Sequence, residues 1–267
     1  MQADSGIVVD KGAAGIVQIR LNRPDRLNAL GMDMVDALLA AITDAAAGNA
    51  RVIVIRGSGR AFCAGADLKE RRTMDEAARV KHNRAINAAV DALGAAPMPT
   101  ICAINGLALG GGCEIALACD LRYAAEDAQI GLTEARIGAI PGAGGTQRMP
   151  RVIGAARALE LILTGEPVTA KRAEEIGLIH GAVAADKLDA HVTRIATVLA
   201  SRSPSGARTA KSLIYRGLEM TLAEGLVQEA RALRDILASA DYAEGLAAFA
   251  EKRPPRFGEG AAKSVAK

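Results

Sequence analysis

Two segments of the chain share one order of parts. RVIVIRG (51–57) is a short apolar run, followed by the glycine-rich GSGRAFCAGAD (57–67) and then an apolar-periodic stretch over 74–93 that ends before Pro97 and Pro99. TICAIN (100–105) is a second such run, followed by the glycine-rich GLALGGG and a short apolar stretch over 111–119. Each reads as a buried strand, a glycine loop and a helix. The repetition restricts the chain to an α/β architecture in which similar turns build a parallel sheet.

Other segments extend this frame. Residues 6–9 and 16–22 read as paired strands around a turn at 11–15. Met34, Leu38, Ile42 and Ala45 mark one face of a helix over 33–47, and DLRYAAEDAQIG (120–131) supplies further short strands. From about residue 143 the pattern is mainly helical, and SRSPSG (201–206) reads as a linker. Beyond it, Leu222, Leu226, Ala230, Leu233 and Leu237 recur at helical spacing and make an apolar face that packs either within the chain or against a neighbouring subunit. This divides the chain into a core (1–200), a helical region (201–260) and a tail (261–267) expected to be disordered.

Half of the 267 residues are hydrophobic but only 2% are aromatic, so the core must be aliphatic. A net charge of +3 and scarce aromatics argue against a nucleic-acid partner. Cys63, Cys102, Cys113 and Cys119 form no CxxC pair, and His82, His180 and His191 lie near none of them, so no metal site is expected. Buried cysteines in a reducing compartment are the expectation. The beginning MQADSGIVVD has no signal-peptide pattern and no apolar run reaches membrane-spanning length, so the chain reads as cytoplasmic with no membrane partner.

The glycine loops carry the chemistry. A helix that begins near Gly111 leaves backbone N–H groups without intrahelical acceptors at the positive end of the macrodipole. Glu114, three residues on, shares that helix face. No GxxxxGK[ST] is present and no basic residue lies between Ile104 and Leu121, so the loop suits a polarised carbonyl rather than a phosphate. A second carboxylate, Glu134, lies in GLTEARIGAIPGAGGTQRMP (131–150), again among glycines. Each glutamate alone could be a first-turn or solvated residue. Two beside two glycine loops point to shared acid and base work.

AFCAGADLKE (61–70), NGLALGGGCEIALACD (105–120) and TEARIGAIPGAGGTQRMPRVIG (133–154) resemble the enoyl-CoA hydratase branch of the crotonase superfamily. LNRPDRLNAL (21–30), LTGEPVTAKRAEEIGLI (163–179) and EGLAAFAEKR (244–253) match as well, and the resemblance spans nearly the whole chain. It implies a spiral of repeated ββα units with a C-terminal helical oligomerisation region, a homotrimer or a hexamer formed as a dimer of trimers. It further implies syn addition of water across the 2-trans double bond of an enoyl-CoA. Glu114 and Glu134 take the catalytic positions, and the N–H groups of Ala66 and Gly111 the oxyanion hole. By the same resemblance Arg26, Leu27, Ala64, Ala66, Asp67, Leu68 and Gly111 border the substrate and its CoA, and Lys252 reaches a CoA phosphate, in a neighbouring subunit. No metal or redox cofactor is implied, CoA being part of the substrate.

FCAGADLKER and EKRPPRF resemble in particular the methylglutaconyl-CoA hydratase-like branch. Its substrate carries a second carboxylate, for which Arg71, Arg72, Lys81 and Arg84 are candidate partners, although such a charge run more often marks a solvated helix face. Some relatives in that branch bind AU-rich RNA through a lysine-bearing helix. DALLAAITDAAAGNA (36–50) contains no lysine or arginine, which argues against that activity here. Retention of both glutamates argues against a non-catalytic scaffold.

Overall fold

The computed structural model describes residues 5–258. The larger sheet has β1 (Ile7–Lys11), β2 (Ile16–Leu21), β3 (Val52–Gly57), β5 (Thr100–Ile104), β7 (Leu121–Ala125) and β10 (Gly181–Val183), side by side in that order. β1 runs antiparallel to β2, and every other neighbouring pair is parallel. A smaller sheet holds β4 (Ala61–Cys63), β6 (Leu107–Leu109), β8 (Gln129–Gly131) and β9 (Val168–Thr169) in that order. The chain thus lays one strand in each sheet on successive turns: β3 then β4, β5 then β6, β7 then β8. This is the expected spiral. The reading of 57–67 and 106–110 as loops alone is corrected, because each contains a three-residue strand of the smaller sheet.

Helices complete the turns. α1 (Met32–Ala47) packs beside α3 (Glu76–Gly94), with α2 (Leu68–Arg71) between them in sequence and α4 (Gly111–Ala118) following β6. α3 starts later than the periodicity predicts because the Asp75 side chain accepts from Ala78 N and caps it there. Ile19, Leu21, Ile53, Ile55 and Ile104 point from the larger sheet into the main core. Val52, Val54, Ile101 and Ala103 point the other way, against Leu188, Val192 and Ala196 of α8 (Leu188–Ala200). With both faces covered, β3 and β5 read as nearly continuous apolar runs rather than alternating ones.

The rest is helical, apart from β9 and β10, which the sequence reading passed over: α5 (Gly145–Ile153), α6 (Ala155–Thr164), α7 (Ala170–Glu175), α9 (Pro204–Gly217), α10 (Leu222–Leu237) and α11 (Ala240–Ala250). Ser203 caps α9 by accepting from Gly206 N, and a capping box formed by Thr221 and Glu224 opens α10. Lys211 of α9 pairs with Asp120 at 2.7 Å, a point where α9 is fastened to the core. The apolar face of α10 stays open within the chain, Leu222 being 79% exposed. The tail at 261–267 lies outside the described residues.

Candidate active site

α4 is buried along its whole length, so it is apolar all round apart from Glu114, which is 3% exposed. Its first residue, Gly111, meets the loop after β4. There Leu30 N donates to Gly65 O at 2.8 Å and Asp67 N to Leu30 O at 3.0 Å, a single parallel bridge that turns the Ala66 N–H the other way. Among the described residues, neither the Ala66 nor the Gly111 N–H has an acceptor. The two groups are close, since a Cβ placed on Gly111 would lie 3.8 Å from Ala66 N. Gly65 makes this approach possible: its φ is +91°, and a Cβ there would lie 2.9 Å from Leu109 O. Two free donors on one concavity are what a carbonyl oxygen gaining negative charge requires.

Both glutamates line the same cavity, together with Ala64, Ala66, Leu68 and Gly111. Glu114 Oε1 accepts from Ala143 N at 2.6 Å and from Gly145 N at 2.9 Å. Burial pushes its carboxyl above the ordinary range, and those two donors, then Arg148 and Arg71, oppose the shift. Glu134 opens a 3-10 helix, Glu134–Ile137, and its Oε2 is buried with no hydrogen-bond partner among the described residues. Its pKa is raised to about 7, chiefly by burial and further by the charge of Glu114. Both carboxyls are thus raised by burial, Glu134 to about 7, and they differ in that Glu114 has two backbone N–H donors opposing its shift while Glu134 Oε2 has no partner among the described residues.

Of the four basic candidates, only Arg71 lines the cavity, while Arg72, Lys81 and Arg84 are exposed. The expectation of a solvated face is corrected for Arg71. Its Nε donates to His82 Nδ1 at 3.1 Å and its Nη2 to Asn83 Oδ1 at 3.4 Å. His82 is fully buried and donates from Nε2 to Leu30 O at 2.9 Å, so its Nδ1 is free to accept. Burial, then the charge of Arg71, holds the His82 pKa below its ordinary value, keeping the ring neutral. The sequence reading missed His82 and Asn83 as parts of the site. Their signal is only that both lie on the helix following the first glycine loop.

Arg26 and Leu27 lie beside the cavity rather than on its wall. Arg26 pairs with Asp67 at 3.5 Å, and Leu27 O accepts from Ala64 N at 3.0 Å, so these four residues gather next to the Ala66 donor. Asp67 itself caps α2, accepting from Lys69 N and Glu70 N. Lys252 stands apart: it follows α11 on the surface, with φ +53°, and does not line the cavity.

The two-sheet spiral thus brings paired backbone donors and two carboxyl groups into one cavity. The model of the enoyl-CoA hydratase/isomerase family matches residues 11–260, and the chain belongs to that family. The human mitochondrial enoyl-CoA hydratase domain-containing protein 2 is 43% identical, over 91% of this chain and 85% of its own. The crystal structure of an enoyl-CoA hydratase from Bacillus anthracis has a TM-score of 0.92 at 43% identity, covering 94% of this chain and 98% of that one. A Geobacillus kaustophilus enoyl-CoA hydratase structure, at 41% identity, has a TM-score of 0.87 over 94% and 97% of the two chains.

Proposed function

We propose that the protein adds water across the 2-trans double bond of an enoyl-CoA thioester to give the 3-hydroxyacyl-CoA, as a hydro-lyase. The observation that carries this reading is the cavity itself: two unengaged N–H groups on one side, and on the other two carboxyl groups in unequal settings, Glu114 held by two backbone donors and Glu134 with Oε2 unpartnered among the described residues. The thioester oxygen sits between Ala66 N and Gly111 N. As water oxygen bonds to C3, the C2–C3 π pair moves toward the thioester and charge gathers on that oxygen. Glu114 orients the water and takes its proton, and protonated Glu134 gives a proton to C2. The two roles are exchangeable, since one water can supply both the hydroxyl and the proton. Each donor to such an oxyanion is worth about 3–4 kcal/mol in the transition state. No metal or redox group is needed for these steps.

Family membership supports an acyl-CoA ester as substrate. Arg26, Leu27, Ala64, Asp67 and Leu68 would border its CoA, and Lys252 would serve a neighbouring subunit. The open apolar face of α10 supports a homotrimer or a hexamer of two trimers. The four buried free cysteines support a reducing compartment, the cytoplasm, and a place in fatty-acid β-oxidation fits a general short-chain hydratase. RNA binding gains no support from a near-neutral charge.

The decisive test follows loss of the conjugated enoyl-thioester absorbance with crotonyl-CoA. Fast loss is expected, and no loss with either crotonyl-CoA or 3-methylglutaconyl-CoA overturns the reading. Arg71 favours a second substrate, because a cation in the cavity wall whose hydrogen bonds go to the neutral His82 and Asn83 would suit an acyl group with its own carboxylate, as in 3-methylglutaconyl-CoA of leucine degradation. Assayed in parallel, turnover of that diacid alone would assign the protein to it.

A further inference from the structure

Glu114 is held by a stretch of chain with little structure of its own. Residues 138–144 lie between the 3-10 helix Glu134–Ile137 and α5, and residues 138–140 are exposed. Yet the Ala143 N–H in this stretch makes the shortest hydrogen bond to Glu114 Oε1. That N–H and the carbonyl of Gly142 belong to one peptide unit, planar and rigid. Fixing the carbonyl therefore fixes the donor.

The carbonyl is fixed by α3. Asn83 Nδ2 donates to Gly142 O at 3.1 Å, and Asn87 Nδ2 donates to the same oxygen at 2.5 Å. Asn83 Oδ1 accepts from Arg71 Nη2, which leaves its nitrogen to face the loop. The next carbonyl, Ala143 O, accepts from Arg148 Nη1 at 3.0 Å, and Arg148 Nη2 pairs with Asp91 at 2.8 Å. Asn83, Asn87 and Asp91 are spaced four apart and so form one stripe along α3. Gly142 keeps the contact close, because a Cβ there would lie 2.9 Å from Asn83 Oδ1.

We propose that Asn83 and Asn87 are positioning residues for Glu114: they clamp the Gly142–Ala143 peptide, whose N–H holds Glu114 Oε1 and leaves Oε2 to face the substrate. Two donors on one carbonyl also polarise that peptide and strengthen the N–H at its other end. The clamp favours the ionised carboxylate of Glu114. The other charged or titratable groups facing it are Arg71 from α2, Arg148 from α5, Glu134 from the 3-10 helix and the neighbouring Cys113 of α4.

The inference rests on the hydratase reading for its kinetic readout only. The experiment compares Asn83→Ala, Asn87→Ala and the double variant with the parent protein, using crotonyl-CoA across a pH series. The expected result for the double variant is a kcat lower on the order of 10- to 100-fold, with KM nearly unchanged. The acid limb of the profile moves to higher pH by about one unit, since the ionised form has lost its support. Asn87→Gln, which keeps an amide donor, recovers part of both effects. A folded double variant with the parent's acid limb and kcat overturns the proposal, as does a loss of thermal stability with an unmoved limb. Should the double variant not fold, the single variants decide by the same criteria. Infrared titration of the Glu114 carboxyl, assigned by subtraction of Glu114→Gln, reads the same shift without turnover. It therefore decides the inference even if the parent protein hydrates no crotonyl-CoA and the hydratase reading fails.

Discussion

The two walls of the cavity are built by different means. The wall carrying Ala66 and Gly111 is backbone locked to backbone: the bridge from Leu30, the strands β4 and β6, and the buried helix α4. The wall carrying Glu134 and the donors to Glu114 is an irregular segment tied down by side chains, those of Asn83, Asn87 and Arg148. The first wall leaves little room for added atoms and is held mainly by main-chain hydrogen bonds, His82 adding one to the Leu30 carbonyl. The second is as tightly packed at Gly142 and Gly145 but depends on a few amide and guanidinium groups.

Substitution can break that contrast. Glu114→Gln removes the anion on which the second wall converges and is expected to cost roughly 10²–10⁴ in kcat, read by the absorbance assay. In that variant the Glu134 pKa falls below its parent value of about 7, because the charge that helped to raise it is gone. A basic limb due to Glu134 should move down in the pH profile. Gly65→Ala attacks the first wall. Its Cβ meets Leu109 O at 2.9 Å with φ at +91°, so the donors move apart. A fall in kcat of about 10²–10³ is expected, together with a lower melting temperature. The smallest effect sharpens the comparison instead. Folded Glu134 keeps its proton up to about 7, whereas the unfolded chain releases it near the ordinary value of 4.5. Stability is thus drained as pH rises through that window. Glu134→Gln should melt higher than the parent above pH 7, and the two should converge below 4.5, by calorimetry.

How much of this was legible in the sequence follows the same division. The runs VIVIRG and TICAI announce β3 and β5, because strands covered on both faces must be apolar throughout. GGGCE announces the donor at Gly111 and the carboxylate beside it, because backbone chemistry leaves a glycine signature. The three-residue strands β4 and β6 carry too few residues for a period to be seen. Arg71 looks like any charge in a basic run until His82, eleven residues on in sequence, is known to face it across a turn of chain. Asn83 and Asn87 make no pattern until the loop they hold, more than fifty residues away, is in view.

α4 has one further consequence. A helix enclosed on every side exchanges its amide protons only when the surrounding core opens, whereas a surface segment can open by itself. Since Glu114 rides on α4, the carboxylate cannot be displaced by local fraying of its own helix. Its working lifetime is the lifetime of the folded domain, set by the barrier to unfolding. Loss of the carboxylate from its place therefore requires the whole core to come apart, not one helix end.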